Sequence, residues 1–316
     1  MDKVRRWLGP EEIPQGWGRS VVTFGVFDGV HRGHQAVLER ARQRARDLDC
    51  PLVVAILAPA APAETSQQPA STLTPAERRD ELLAAVGVDA VCVLPSTATP
   101  LAPADLVRDV LVDRLGATVL VAGEHVRFGG DGDVATLREF GDKHDVTVET
   151  VAPVADTEVI TAQRIRDRLA AGDVEGAAAA LGRPHRLSGT VVHGAARGRE
   201  LLGYPTANLD FPPESTVPAD GVYAGRLLLT AASPQEAAGE TQWPAAISVG
   251  SNPTFEGAGR TVEAYALDRD DLDLYGKLAA VDFIHHIRPM LRFDSIDELI
   301  AAMARDVERS RELLLE

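Results

Sequence analysis

The chain has 316 residues, 45% apolar and 25% charged, a soluble globular mix long enough for about two domains that argues against wholesale disorder. Lys and Arg total 32 against 47 Asp and Glu, a formal net charge of -15, which excludes a general binder of nucleic acid or anionic membrane because the average field repels phosphate. Met1–Trp7 develops no apolar signal core, no run approaches the ~18 apolar residues of a membrane span, and Cys50 and Cys92 are too few for a disulfide framework, so a cytoplasmic protein is expected.

From the N-terminus, short apolar runs alternate with helical patterns. Strands are predicted at Ser20–Phe24, Leu52–Leu57, Ala90–Leu94, Thr118–Ala122 and Val146–Val151. Helices are predicted between them at Gly33–Leu48, Pro75–Val86, Pro103–Leu115 and Val134–His144, the second opened by Thr74 as N-cap, Pro75 and a capping box closed by Glu77. This alternation implies βαβ units and an α/β fold with a parallel sheet, whose ligands bind beyond the carboxyl ends of the strands at the switch point. Two further helices follow at Ala162–Ala171 and Val174–Leu181, with Gly172-Asp173 as stop and start.

From about His185 the period changes. Arg186–His193, Gly221–Leu229, Ala245–Val249, Thr261–Leu267 and Ala279–Ile287 read as strands separated by Gly/Pro-rich turns, which favours an antiparallel barrel or sandwich. Ser233–Thr241 reads as an exposed loop. The chain closes on a helix with a Ser295/Glu298 capping box and an apolar stripe of Ile296, Leu299, Ile300, Met303 and Val307 that packs on the barrel.

Two segments carry chemistry. The first is Gly25-Val26-Phe27-Asp28-Gly29-Val30-His31-Arg32-Gly33-His34, where a strand runs into a helix. Glycines let the backbone approach a triphosphate, a helix N-terminus offers N–H groups and positive potential, and His31 and His34 can donate to phosphate oxygens. The plain readings are a glycine turn with surface histidines or a zinc pair; zinc needs a third ligand, and no partner motif such as H-E-x-x-H is present.

The second is Gly194-Ala195-Ala196-Arg197-Gly198-Arg199-Glu200-Leu201-Leu202-Gly203, followed by Tyr204-Pro205-Thr206-Ala207-Asn208. Such a loop can wrap N–H groups around phosphates with an arginine as counter-charge, and Thr206 and Asn208 offer hard oxygens suited to Mg²⁺. Glu263 lies within the apolar, aromatic strand Thr261–Tyr265. Alone it reads as a solvent-facing strand residue, but beside the glycine loop and the Thr/Asn pair a general base is the better expectation.

These motifs resemble the bacterial bifunctional riboflavin kinase/FAD synthetase family. In its C-terminal half the resemblance covers roughly Arg183 to Glu316. It includes Gly203–Asn208, Pro218-Ala219-Asp220-Gly221-Val222-Tyr223-Ala224-Gly225, Asn252-Pro253-Thr254-Phe255, Val262-Glu263 and Asp273-Leu274-Tyr275-Gly276. It implies a six-stranded riboflavin kinase barrel with a C-terminal helix over 183–316. ATP would lie along Gly194, Arg197, Gly198, Gly203 and Asn252, Mg²⁺ on Thr206 and Asn208, Glu263 against the ribityl 5′-hydroxyl, and the flavin near Arg288, Arg292 and Phe293.

Gly25–Gln35 resembles the opening motif of the family's nucleotidyltransferase module. That implies a Rossmann-like FMN adenylyltransferase domain over 1–182, with Gly25, Phe27, Asp28, His31, Gly33, His34 and Arg166 toward the nucleotide. Other blocks depart from the family pattern. The family's Phe-Asp-Pro-His-Pro is Leu57-Ala58-Pro59-Ala60-Ala61 here, and its Gly-x-Asn/Asp-Phe-x-Phe-Gly is Gly123-Glu124-His125-Val126-Arg127-Phe128-Gly129. Its Ser-Ser-Thr-x-x-Arg is Thr161-Ala162-Gln163-Arg164-Ile165-Arg166. Lost charge-assisted contacts cost ~1.5–3 kcal/mol each, so the expectation is a riboflavin kinase, using riboflavin, ATP and Mg²⁺, whose FAD synthetase module is weak, silent or altered in specificity. The alternatives are a fully bifunctional enzyme making FAD from FMN, and a non-catalytic flavin or nucleotide sensor; the intact kinase motifs argue against the sensor.

Overall fold

A computed structural model of the chain describes residues 4–57, 71–94, 102–193, 206–229, 241–251 and 260–315. Most of the expected 233–241 loop, the glycine loop with Gly194, Arg197, Gly198 and Gly203, the Asn252 turn, and Ala58 and Ala60 lie outside them. The described residues form two compact units, one of residues 4–57, 74–94 and 102–162, the other of residues 71–73 and 163–315.

In the first unit six strands form one parallel sheet: β1 (Arg5–Trp7), β2 (Ser20–Gly25), β3 (Leu52–Leu57), β4 (Ala90–Leu94), β5 (Ala117–Gly123) and β6 (Thr147–Val151), in the order β1-β4-β3-β2-β5-β6. The four inner strands β2–β5 are mostly apolar and buried because both faces are covered, whereas the edge strands β1 and β6 carry exposed polar residues. Val22 and Phe24 face a core with Leu111 and Phe140, while Val21, Val54 and Ile56 face another with Leu38 and Leu83. Helices α1 (Arg32–Asp47), α2 (Ala76–Ala85) and α4 (Val134–His144) follow the expected pattern. The sequence order reverses between β2 and β5, which makes their carboxyl ends the switch point.

Three expectations need correction in this unit. β1 was not foreseen, because three residues with only Trp7 buried carry no readable alternation. The helix expected over Pro103–Leu115 is a short α3 (Pro103–Asp105) that widens into a π-helical stretch at Leu106–Val112. There Asp113 and Leu115 donate five residues back, and Leu106, Val107, Val110, Leu111 and Leu115 are all buried, a fit that counting apolar spacings cannot distinguish from an α-helix. Finally, α2 begins at Ala76 behind Pro75 with no side-chain cap; the Thr74 N–H instead donates to Asp28 Oδ1 (3.1 Å).

The second unit is a closed barrel of β7 (His185–Val192), β8 (Ala207–Asp210), β9 (Gly221–Leu229), β10 (Thr241–Ser251), β11 (Arg260–Ala266) and β12 (Leu278–Pro289). Its order is β10-β11-β8-β7-β12-β9, and every neighbouring pair is antiparallel. Before it come α5 (Ala162–Ala170) and α6 (Val174–Leu181); Asp173 caps α6 by accepting from the Gly176 N–H (2.8 Å), and Gly182 ends it at φ 75°. The segment 71–73 belongs here too, with Thr72 bridged to Ser215.

The C-terminal helix is α7 (Ile296–Leu315). Ser295 Oγ accepts from the Glu298 N–H (3.2 Å) as expected, while the Glu298 carboxylate receives the Asp294 N–H (3.2 Å), one residue earlier than a capping box requires. Of the expected stripe Leu299, Ile300, Met303 and Val307 are half-buried and only Ile296 is exposed, while the fully buried positions beside them are Ala302, Asp306 and Ser310. Among the described residues no helix is long and apolar enough to cross a membrane.

Candidate active sites

At the switch point β2 ends on Gly25 and the chain makes a sequence of left-handed turns through Phe27 (φ 52°), Gly29 (φ 81°) and Val30 (φ 38°). A β-branched residue at positive φ is a rare conformation, costing of order 1–3 kcal/mol, and such strain concentrates at binding sites. Here it is held by burial: Phe27 and Val30 are 2% and 1% exposed, and Gln35 Nε2 donates to the Val30 carbonyl (2.8 Å).

The turn delivers His31 to the N-cap of α1, where its Nδ1 accepts from the His34 N–H (3.3 Å). The two imidazoles stack with centroids 3.6 Å apart, and Phe27 packs against His34 at 5.0 Å. A Cβ on Gly33 would lie 3.1 Å from the His31 ring, so glycine lets that ring lie against the helix start. Burial, reinforced by repulsion from His31, holds the His34 pKa well below the ordinary imidazole value, so His34 is neutral near pH 7. The structure thus brings Gly25, Phe27, Asp28, His31, Gly33 and His34 together at a helix N-terminus suited to an anion.

Asp28 has a structural use, accepting the Thr74 N–H. Arg166 falls in the other compact unit, where its Nε donates to the Ser71 carbonyl (2.6 Å). After β5, Phe128 is buried edge-on against Phe24 (5.2 Å) and Val126 packs on the same core; Val126 is therefore an apolar packing position rather than a lost polar contact.

On the barrel, strand alternation sorts the second site. Ala207 and Leu209 of β8, Val262 and Ala264 of β11, and Ile247 and Val249 of β10 are buried. The residues between them, Asn208, Glu263 and Ser248, stand on the outer face and are half-buried. Register places them in one row: Glu263 pairs with Asn208 on one side and with Ser248 on the other. Thr206, just ahead of β8, brings its Oγ1 to 3.4 Å from Glu263 Oε2 and 3.5 Å from Asn208 Nδ2.

Thr206 Oγ1 and the Asn208 amide oxygen are both acceptors. With Glu263 beside them the donors are all oxygens, the set a hard divalent cation takes. Burial raises the Glu263 pKa and the Thr206 hydroxyl partly offsets this, so the carboxylate is a stronger proton acceptor than an exposed one. Ser248 was missed in the sequence, although its place between Ile247 and Val249 already puts it on the outer face.

Beyond β12 the chain carries the apolar side chains of Met290 and Leu291, 45% and 53% exposed. The Arg288 guanidinium is committed to Asp306 of α7 (Nε–Oδ1 2.9 Å, Nη2–Oδ2 2.6 Å) and lies over the Phe293 ring at 5.8 Å. Arg292 is exposed and Phe293 half-buried.

Comparison with known proteins agrees with both halves. A family described as riboflavin kinase matches residues 181–314, and one described as FAD synthetase matches residues 13–164. The bifunctional riboflavin kinase/FMN adenylyltransferase of Pseudomonas fluorescens is 35% identical over 299 residues, covering 93% of this chain and 92% of its own. That of Escherichia coli strain K12 is 34% identical over 300 residues and covers 92% of each. A crystal structure described as a macrolide-efflux protein from Streptococcus pneumoniae has a TM-score of 0.85 at 30% identity, over 98% of this chain and 99% of that one.

Proposed function

The chain belongs to the bifunctional riboflavin kinase/FMN adenylyltransferase family and is a riboflavin kinase; from that premise we propose that it makes FMN on the barrel, residues 183–316, and FAD on the sheet module, residues 1–182. The row Asn208–Glu263–Ser248 with Thr206 beside it is the observation that carries the kinase assignment. Glu263 takes the proton of the ribityl 5′-hydroxyl as that oxygen attacks the γ-phosphorus of ATP, and ADP leaves with the bridging electron pair. A raised carboxyl pKa suits that role. Thr206 and Asn208 hold Mg²⁺, which when bound neutralises phosphate charge. The loop with Gly194, Arg197, Gly198 and Gly203, together with Asn252, cradles the ATP phosphates. The flavin rests toward Arg292 and Phe293, with Arg288 behind them.

On the sheet module, His31 and His34 at the start of α1, with Gly25, Phe27, Asp28 and Gly33 shaping the turn, hold the ATP phosphates while FMN displaces pyrophosphate. Arg166, which lies in the other compact unit, is left out of this site. The FMN phosphate is already anionic, so positioning and charge neutralisation suffice without a general base. A second reading keeps this module weak or altered in nucleotide preference, because Ala58, Ala60, His125 and Ala162 stand where the family has other polar groups.

Purified protein with riboflavin, ATP and Mg²⁺, its products separated over time, tests both readings. FMN followed by FAD is the expected result, and FMN alone supports the weak module. A different flavin dinucleotide with CTP or GTP supports altered specificity. Absence of FMN would overturn the kinase assignment.

A further inference from the structure

The contact between Arg288 and Asp306 lies off the Glu263 row yet reaches toward it. A β-bulge between His286 and Arg288 re-aims the end of β12, and Arg288 then pairs across to Val222 of β9. Its guanidinium forms a two-pronged ion pair with Asp306, the one acidic side chain in the buried stripe of α7; the two side chains are 19% and 10% exposed. A charged residue on a buried helix face costs stability unless it is paired, and replacing such a pair by apolar groups is often neutral or stabilising. Packing alone is therefore a weak reason for Asp306 to be there.

What the pair holds is the segment Met290–Phe293. On one side the Phe293 ring lies under the Arg288 guanidinium. On the other, the Met290 methyl reaches to 3.0 Å from where a Cβ on Gly250 would stand. Gly250 lies two residues along β10 from Ser248 and pairs with Thr261, two residues along β11 from Glu263, so it belongs to the same outer face as the Glu263 row. Met290–Phe293 therefore borders the face that carries Glu263, with apolar side chains left exposed beside it.

We propose that Asp306 is a positioning residue for the kinase acceptor: through Arg288 it fixes Met290–Phe293 over the Glu263 face and so sets affinity for the apolar, planar acceptor. This rests on the assignment of riboflavin phosphorylation to the barrel. Asp306 touches no substrate; its effect passes through Arg288 and the segment that follows.

The test compares wild type with Asp306→Asn, Asp306→Glu and the charge exchange Arg288→Asp/Asp306→Arg. Thermal melting, separate KM values for riboflavin and MgATP, and a riboflavin fluorescence titration are read for each. Asp306→Asn should raise the riboflavin KM and Kd about tenfold, a loss of ~1.4 kcal/mol, with the MgATP KM changed far less. The exchange should recover part of the loss. Where Asp306→Asn melts before assay, Asp306→Glu keeps the charge, displaces Arg288 by one methylene and should show the same split in milder form. Unchanged riboflavin affinity in a folded variant, or equal rises in both KM values, overturns the proposal. If wild type forms no FMN, the kinase assignment fails instead, and the fluorescence titration still decides whether Asp306 governs flavin affinity.

Discussion

Glu263 and its neighbours make the sharpest demands on single side chains. Glu263→Gln keeps the size and the Thr206 contact but removes the proton acceptor, so the rate of FMN formation should fall at least ~10²-fold, the low end for general acid–base catalysis. Steady-state kinetics alongside a thermal melt checks this; a near-normal rate in a folded variant removes Glu263 from the chemistry. On the proposed assignment Thr206 and Asn208 lie at the metal–phosphate end, so Thr206→Ala and Asn208→Ala should each weaken use of MgATP, with added Mg²⁺ restoring part of the rate. Loss of flavin affinity alone would contradict that assignment. His34 makes a different demand. Its pKa is lowered in the folded state, so the unfolded chain binds more protons below the ordinary imidazole value of ~6.5. The stability tied to neutral His34 is complete above that value and drains away as pH falls toward the lowered one. His34→Gln should flatten the loss of Tm between about pH 7 and about pH 5; an unchanged slope would mean other groups set it.

Among the elements, β9 shows how little room the barrel leaves. A Cβ on Gly225 would lie 2.0 Å from the Asp282 carbonyl oxygen of β12 and 2.7 Å from Ile247 Cδ1. The first obstacle is backbone and cannot turn aside. Gly225→Ala should therefore destabilise by ~1–3 kcal/mol or more, as overpacking does, measurable by denaturant unfolding of the full chain; a melt like wild type would show that the strands can spread. The elements also differ in how far the sequence exposes them. β3 is a continuous apolar run and β2 a nearly apolar one broken by Thr23, each between turn signals, and both read directly. β8 is only Ala207-Asn208-Leu209-Asp210, legible as half of a motif but too short to announce a strand; only its pairing with β11 and β7 makes it one. In α7 the apolar spacing pointed to Leu299, Ile300, Met303 and Val307, which are half-buried, but not to Asp306, which is buried and paired with a residue 18 positions earlier. Periodicity carries no information about such a partner.

On the scale of the whole molecule, both halves were legible from the change in period near His185 and from the two motif segments. Glu263, Thr206 and Asn208 were named from residue type and spacing, and the barrel brings them together. Arg288 was named too, but its partner could not be, since nothing local links β12 to the buried face of α7.

The pairing of residues 71–73 bears on how this chain can be divided. Thr72 accepts the Thr216 N–H (2.9 Å) and donates to the Glu214 carbonyl (2.6 Å), and Ser71 meets the Thr216 hydroxyl (2.9 Å) and Arg166. The compact unit that holds the barrel is thus discontinuous: a three-residue insert of it is encoded between β3 and α2, some ninety residues ahead of the remainder. A single cut before Gln163 yields a fragment missing this insert, with the backbone groups of Glu214 and Thr216 exposed to water in its place. Such a fragment should melt below the corresponding transition of the intact chain, and a synthetic peptide spanning residues 69–75 added in trans should raise its Tm. Equal melting of fragment and intact chain would show that the insert is ornamental and that one scission divides the two units.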